Sequence, residues 1–523
     1  MNRSLLLPRP LLLTPIFGVI SGTLLILYSI IPNGIGLSED SISYLSAAHS
    51  LLDSGRMLDI DGTPFVAWAP LYSITIAVLE FLPVRIENAL AVFSIAIYVL
   101  TVITSWMLIA KIMENAFFRI ACLASLVFSF TLLQVFTVAL SEAVLLLIVN
   151  AALLAASREN ALDVKNALLI GLICSLAVLQ RYAGIFLIVG FTIYFLQKRA
   201  ATAFKTLTSS FLLLLFIALA PIAMWFVRNH TVADTLTGFR PSGTELFTKN
   251  VTVLAETITS WFLPVKIPLV IRLPLFLLTV FVFSRLYYRN DKRQTASIQL
   301  LAILPVTIFT YLLILVIAYL FFSFEEPRDR LLSPIFIPFS ILAFYALEII
   351  SKRTIRFSVS AFICLWLAYP VARTFKHVHR WHLQGVDVYN KSFWKDSETI
   401  DWLKKNSLPM KIFSNDAAAI YYFTGKNSFR VPKGIYSFHD FYASVETGCL
   451  LVWWTNRDGY DLQPLRDKFL LNEVVRLKDG SVFTIHLPHT ELFRMPPRPR
   501  DENKLKRQPH PCASRTNYSH PAF

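Results

Sequence analysis

From Val164 to Gln197 the chain reads VKNALLIGLICSLAVLQRYAGIFLIVGFTIYFLQ. A membrane crossing needs about 20 apolar residues, so this run is too long for one helix. Its middle holds Gln180-Arg181-Tyr182-Ala183-Gly184. A second over-long run, 117–157, contains Ser141-Glu142. Further apolar runs cover 11–32, 87–110, 204–227, 262–284, 297–323, 332–350 and 355–372. The pattern predicts an α-helical polytopic membrane protein.

Flanking charge decides how the long runs fold. Lys111 and Arg119 precede the first, Arg158 and Lys165 separate the two, and Lys198, Arg199 and Lys205 follow the second. If each run is a hairpin, all these basic loops face the cytoplasm, as basic loops do. Arg285, Arg289, Lys292 and Arg293 agree, as do Lys352, Arg353 and Arg356. The expected result is roughly eleven spans, with the N-terminus cytoplasmic and the C-terminal part outside. Arg3 and Arg9 precede an apolar run from Leu11 to Ile31 that lacks a small-residue cleavage site, which reads as an uncleaved first span.

Composition agrees. Only 16% of the 523 residues are charged, against about 25% in a soluble domain. The formal charge of +15 does not indicate a nucleic-acid partner, because most of the excess lies in short loops and in the C-terminal tail. Cys122, Cys174 and Cys364 lie in apolar runs, and only Cys449 and Cys512 fall outside them, so no disulfide framework or metal-ligand spacing appears. The cytoplasmic loops are too short for a nucleotide-binding domain, and no Gly-rich phosphate loop occurs.

The hairpin topology gathers polar residues on the outer side. They are Glu39 and Asp40 in the first outer loop (33–86), Glu142, Gln180-Arg181-Tyr182, Arg228-Asn229 and the Glu325-Glu326-Pro327-Arg328-Asp329-Arg330 loop. Ionisable residues at membrane depth call for a partner or a function. In the first outer loop, Ile42, Leu45, Ala48 and Leu52 recur at helical spacing, predicting an amphipathic helix at the interface. Asp40 would stand at its N-terminal end, as a helix cap or as a reactive carboxylate.

Six segments, in order, resemble those of the membrane glycosyltransferases of the C-type fold. They are Asp40…Tyr44…Ala47-Ala48…Gly55, Ala69-Pro70-Leu71-Tyr72, Ser141-Glu142, Gln180-Arg181-Tyr182-Ala183-Gly184, Trp225-Phe226-Val227-Arg228-Asn229 and Arg330-Leu331-Leu332-Ser333-Pro334. The nearest likeness is to bacterial protein O-mannosyltransferases and aminoarabinose transferases that use polyprenyl-phosphate sugars. The chain departs from the family pattern in having Asp40-Ser41 for a frequent Asp-Glu, with the acid Glu39 preceding. Ala69 replaces a proline, Trp68 a frequent histidine and Leu331 a tyrosine.

The resemblance implies transfer of a sugar from a polyprenyl-phosphate donor to a lipid, glycan or protein acceptor at the periplasmic face of a bacterial inner membrane. Asp40 would be the general base. Arg181, Arg228 and Arg330 would bind the donor phosphate, because guanidinium forks match phosphate oxygens and stay charged. Glu142 would position the acceptor or an arginine, or simply pair with Arg181 across the hairpin tips. Glu39 is a second acid or a solvated neighbour, and Tyr44, Tyr72 and Tyr182 would position substrate. A divalent metal, magnesium or manganese, stays open as a cofactor, with no ligand spacing to support it. The rival readings are a transporter or flippase of a lipid-linked glycan and a glycan polymerase or ligase. Against a transporter, the polar residues gather at one surface rather than at mid-membrane.

Residues 1–372 are thus expected to form the membrane domain and 373–492 a small outer α/β domain. In the latter, Asp396–Lys405 reads as a helix, Met410–Ser414 as a strand and Leu450–Trp454 as a buried strand. Asn415-Asp416 reads as the cap of a helix through Phe423 that Gly425 ends, and Val474–Leu487 reads as a hairpin turning at Asp479-Gly480. His439, Asp440 and Asp458 read as surface residues. The basic, Pro-rich segment 493–523 reads as disordered.

Overall fold

The computed structural model describes residues 9–158, 163–198, 204–238, 240, 247–289, 295–322, 325–351, 355–406, 410–431, 445, 449–455, 457 and 460–487. His439, Asp440, Asp458 and the 493–523 tail lie outside the described residues.

The apolar part is helical. It comprises α1 (Arg9–Ile30), α2 (Glu39–Ser54), α3 (Leu71–Leu79), α4 (Ile86–Ile112), α5 (Ala116–Val127), α6 (Phe130–Thr137), α7 (Ser141–Ala156) and α8 (Val164–Gln180). It continues with α9 (Ile185–Lys198), α10 (Phe204–Ala233), α11 (Phe247–Ser260), α12 (Leu269–Arg289), α13 (Thr295–Phe321), α14 (Asp329–Ile350) and α15 (Arg356–Gln384). Two short helices follow, α16 (Glu398–Lys405) and α17 (Ala417–Thr424). One compact unit takes the chain through Asn406 together with Ala417–Ser428, and a second takes Ser407–Asp416 and the residues from Phe429 on. The expected boundary at 372 therefore falls inside α15.

Among the described residues, six helices are long and apolar enough to cross a membrane, or seven spans if α5 and α6, bent by 47°, count as one. The sequence reading of about eleven spans counts each half of a long run as a crossing, and α7, α8 and α9 are shorter apolar helices. The breaks fall at the polar residues: α7 starts at Ser141, and α8 stops at Gln180 before a 3-10 turn at Tyr182–Gly184. Inside the bundle, hydroxyls return their hydrogen bonds to their own helix, as Thr101 does to the Ile97 carbonyl and Thr307 to the Ile303 carbonyl, both about one turn back. Buried Asn150 of α7 donates to the Thr101 carbonyl and the Ser105 hydroxyl of α4, which ties the two helices together.

Two close backbone approaches set the site. Gly36 N–H donates to the Thr137 carbonyl at 2.8 Å, and Ala139 N–H donates to the Gly36 carbonyl at 2.9 Å. This parallel bridge sets the start of α2 beside the start of α7. A Cβ on Gly36 would meet Val138 Cγ2 at 2.9 Å and the Thr137 carbonyl at 3.2 Å. The second approach is Gly184, where a Cβ would stand 2.2 Å from the Ala177 carbonyl oxygen. Only a glycine lets the α8–α9 turn fold back on α8 and present Arg181.

The second unit holds a five-stranded sheet in the order β2-β1-β3-β5-β4, made of β1 (Ile412–Ser414), β2 (Phe429–Arg430), β3 (Cys449–Trp454), β4 (Leu470–Arg476) and β5 (Gly480–His486). β1 pairs in parallel with β2 and β3, while β5 pairs antiparallel with β3 and β4. α18 (Gln463–Lys468) precedes β4. The Asn415 side chain exchanges two 2.9 Å hydrogen bonds with the Trp454 backbone.

Gly184→Ala is expected to lower stability by about 1–3 kcal/mol, the usual cost of overpacking. Thermal unfolding of the detergent-solubilised protein checks this, and an unchanged transition would contradict it.

Candidate active site

Asp40 does not cap α2. Ser38 does: Ser41 N–H donates to Ser38 Oγ at 3.2 Å, and Ser38 N–H donates to Ser41 Oγ at 3.0 Å. Ser41 Oγ also donates to the Ala139 carbonyl at 2.8 Å, anchoring this helix end to the segment before α7. The amphipathic reading holds for Ile42, Leu45 and Ala48, which are buried, while Leu52 is exposed. With Ser38 as cap, the Asp40 carboxylate goes to another partner.

That partner is Arg330. Its Nη2 lies 2.5 Å from Asp40 Oδ2 and 2.9 Å from Glu325 Oε2, and its Nε lies 3.0 Å from Glu142 Oε1. Arg181 completes the group, with Nη1 2.7 Å from Glu142 Oε2 and donating to Ser141 Oγ at 2.9 Å. Three carboxylates therefore face two guanidinium groups. The Glu142 side chain is 0% exposed, that of Arg330 15% and that of Asp40 23%. The Glu142–Arg181 pair expected across the hairpin tips exists, and Glu142 holds Arg330 as well. Glu39, the first residue of α2, is not one of the carboxylates on Arg330.

The helices explain the arrangement. Asp40, Glu142 and Arg330 are each the second residue of a helix, α2, α7 and α14 respectively. A helix N-terminus carries partial positive charge, which favours Asp40 and Glu142 and disfavours Arg330. The carboxylates offset what α14 costs Arg330. The neighbouring Asp329 faces elsewhere, accepting from Thr131 Oγ1 at 2.5 Å and Trp261 Nε1 at 3.0 Å.

Tyr44 hydrogen-bonds Ser141 through hydroxyls 3.1 Å apart, and the Gln180 amide donates to the Ser141 carbonyl at 3.0 Å. The Tyr44 ring meets Tyr72, Trp68 and Phe65 edge to face at 5.0, 6.2 and 6.3 Å. Burial pushes the Tyr44 phenol far above its ordinary value, so it stays a neutral hydrogen-bonding group.

Arg228 and Tyr182 join a different network. Arg228 Nη1 donates to the Phe65 carbonyl at 2.8 Å and Nη2 to the Met57 carbonyl at 3.3 Å, with the guanidinium stacked 4.6 Å over Trp225. The Tyr182 hydroxyl lies 2.9 Å from the Val66 and Trp68 carbonyls and accepts from Trp225 Nε1 at 2.9 Å. Arg240 adds a 2.8 Å bond to the Ala67 carbonyl. These side chains fasten the first loop from Met57 to Trp68.

Sequence reasoning assigned no role to Glu325, although it named that loop, and it missed Arg240 and Asp387. Asp387 follows α15 and accepts from Val388 N–H at 2.7 Å. Burial pushes its carboxyl up to about 6, with Arg330 pulling the other way. Its only sequence signal is the Asp387-x-x-Asn390 spacing of a capping box, which the structure forms. Among the described residues no group of three or more His, Cys, Asp or Glu side chains is placed to share an ion.

The chain is similar in structure to ArnT from Cupriavidus metallidurans bound to undecaprenyl phosphate, with a TM-score of 0.55 at 12% identity over 90% of this chain and 97% of that one. The fold is that of the C-type membrane glycosyltransferases. The C-type fold is also seen in the likeness to the archaeal oligosaccharyltransferase AglB from Archaeoglobus fulgidus, in complex with an inhibitory peptide and a dolichol-phosphate. There the TM-score is 0.52 at 12% identity, over 92% of this chain and 75% of that one. No protein-family model matches the chain, and no curated protein sequence does.

Two outcomes follow from the charges. Glu142→Ala strands two guanidinium groups and is expected to cost about 3–5 kcal/mol in denaturant unfolding, with Glu142→Gln losing less because it keeps the shape and one acceptor oxygen. For Asp387 the raised value means that the folded state keeps a proton the unfolded chain releases near pH 4. Stability from this group therefore falls as pH rises from about 4 to about 6. Asp387→Asn is expected to raise the melting temperature at about pH 7.5 and to leave it unchanged at about pH 4.

Proposed function

We propose that this protein is a membrane glycosyltransferase that moves a sugar from a polyprenyl-phosphate donor to an acceptor hydroxyl at the outer face of the membrane. The observation that carries the reading is the Asp40–Arg330 contact of 2.5 Å at the start of α2, with Glu142 and Arg181 behind it, on a C-type scaffold. A carboxylate and guanidinium groups at one point are what transfer from a lipid phosphate requires.

In this reading the acceptor oxygen attacks the anomeric carbon and its proton passes to Asp40. The bond from the anomeric carbon to the phosphate oxygen breaks, and the electron pair leaves with polyprenyl phosphate. Arg330 and Arg181 meet the charge that gathers on that phosphate. No general acid is needed, because phosphate is already a good leaving group. Glu142 holds both arginines in place from beneath, so it positions rather than reacts. Arg228 and Tyr182 act one step away by holding the first loop and, through it, Trp68 against Tyr44 and Phe65. Tyr72 backs Tyr44 from within the same aromatic group. The donor sugar, the acceptor class and the bacterial inner-membrane setting belong to this proposal, as do a cytoplasmic N-terminus and a periplasmic C-terminal part.

Asp40→Asn tests it. The variant should insert and melt as a folded protein, with turnover at least about 100-fold lower, the typical loss when a general base is removed. Cells carrying it should lose the glycoconjugate and accumulate polyprenyl-phosphate sugar. Undiminished product from a stably expressed variant would sink the assignment. Donor trapped on the inner leaflet would point to a flippase instead.

A further inference from the structure

Of the three carboxylates on Arg330, Glu325 is unlike the others. The Glu142 side chain is fully buried and held by two arginines. Asp40 is fixed at a helix end that Ser38, Ser41 and Ala139 pin down. Glu325 lies between α13 and α14, its side chain 51% exposed, and it reaches Arg330 from the solvent side at 2.9 Å. Its backbone is held apart from its side chain: the Tyr319 hydroxyl donates to the Glu325 carbonyl at 2.5 Å. The adjacent Glu326 faces other cations, Lys249 at 2.7 Å and Arg328 at 2.5 Å.

A lipid phosphate reaching Arg330 would bring further negative charge to a cluster where carboxylates already outnumber guanidinium groups. One carboxylate has to give way, and Glu325 is the one with water to move into. Desolvation and the neighbouring Asp40 and Glu142 carboxylates hold its carboxyl above the usual range, with Arg330 pulling the other way.

We propose that Glu325 is a built-in occupant of the phosphate subsite: its carboxylate takes the place on Arg330 that the phosphate of a polyprenyl phosphate takes, and ligand binding is an exchange of one anion for another. This rests on the glycosyltransferase reading of the site. The exchange makes phosphate charge, rather than lipid chain alone, the condition for entry. It also works in reverse after transfer. The donor is a phosphodiester with one negative charge, and the released polyprenyl phosphate is a monoester with up to two. The return of Glu325 to Arg330 helps that more tightly held product to leave.

The test is equilibrium binding of undecaprenyl monophosphate to the full chain in lipid nanodiscs, for wild type, Glu325→Gln, Glu326→Gln and Glu325→Gln/Arg330→Gln. Glu325→Gln is expected to bind about tenfold more tightly than wild type, the scale of one charge-assisted contact no longer in competition. Glu326→Gln removes the same charge from the same loop and should bind as wild type. Adding Arg330→Gln should abolish the gain. In turnover assays Glu325→Gln should show correspondingly stronger inhibition by the phosphate product. Wild type that binds while Glu325→Gln binds equally or more weakly would overturn the exchange and leave the site reading standing. An equal gain in Glu326→Gln would overturn it too, as a general charge effect. Binding by none of the proteins, wild type included, would sink the phosphate-site reading itself and the exchange with it.

Discussion

A single guanidinium, that of Arg330, is shared by carboxylates from positions 40, 142 and 325. A charge in a mostly apolar helical body is costly unless paired and hydrogen-bonded. Neither Glu142 nor Arg330 could be buried without the other, and Arg181 completes the balance around Glu142. The packing around them serves this point. The Gly36 bridge brings α2 to α7, the Gly184 approach turns Arg181 inward, and Asp329 anchors the start of α14 to Thr131 and Trp261.

Three helices begin at this cluster, each contributing its second residue. Helix ends are where a chain in an apolar setting still has unsatisfied N–H groups and partial charge. Placing several of them together makes a polar spot without exposing backbone elsewhere. The positive ends of α2, α7 and α14 also favour an anion there, today a carboxylate and in the proposed reaction a phosphate. A carboxylate already seated on the cation keeps such a spot balanced between turnovers.

Much of the site could be read before folding. Arg181 and Glu142 stood out because each interrupts an over-long apolar run, and Asp40 and Arg330 because the charge pattern of the loops put them on the same side. Asp40 reads as a helix cap or as a reactive carboxylate, and the cap falls to Ser38 and Ser41, a pairing of hydroxyls that the acidic neighbours obscured. Arg228 reads as equivalent to Arg181 and Arg330, and the structure gives it bonds to the carbonyls of Met57 and Phe65. Nothing local separates an arginine that holds a loop from one that meets a ligand. α5 and α6 bend by 47° and α7 to α9 are short, which hydropathy does not show, because it reports apolar length and not breaks.

By itself the sequence determined that the chain is a helical membrane protein, where its polar interruptions lie, and several strands and helices of the C-terminal part. These follow from composition and periodicity, which act over one or two helical turns. Tertiary structure alone decided which acids meet Arg330. Asp40 and Arg330 are 290 positions apart, and their contact depends on a glycine bridge, a serine cap and the first turn of α14 all being in place. The same packing singled out Glu325 as the exposed member of the trio, since exposure is a property of the assembled neighbours and not of the residue.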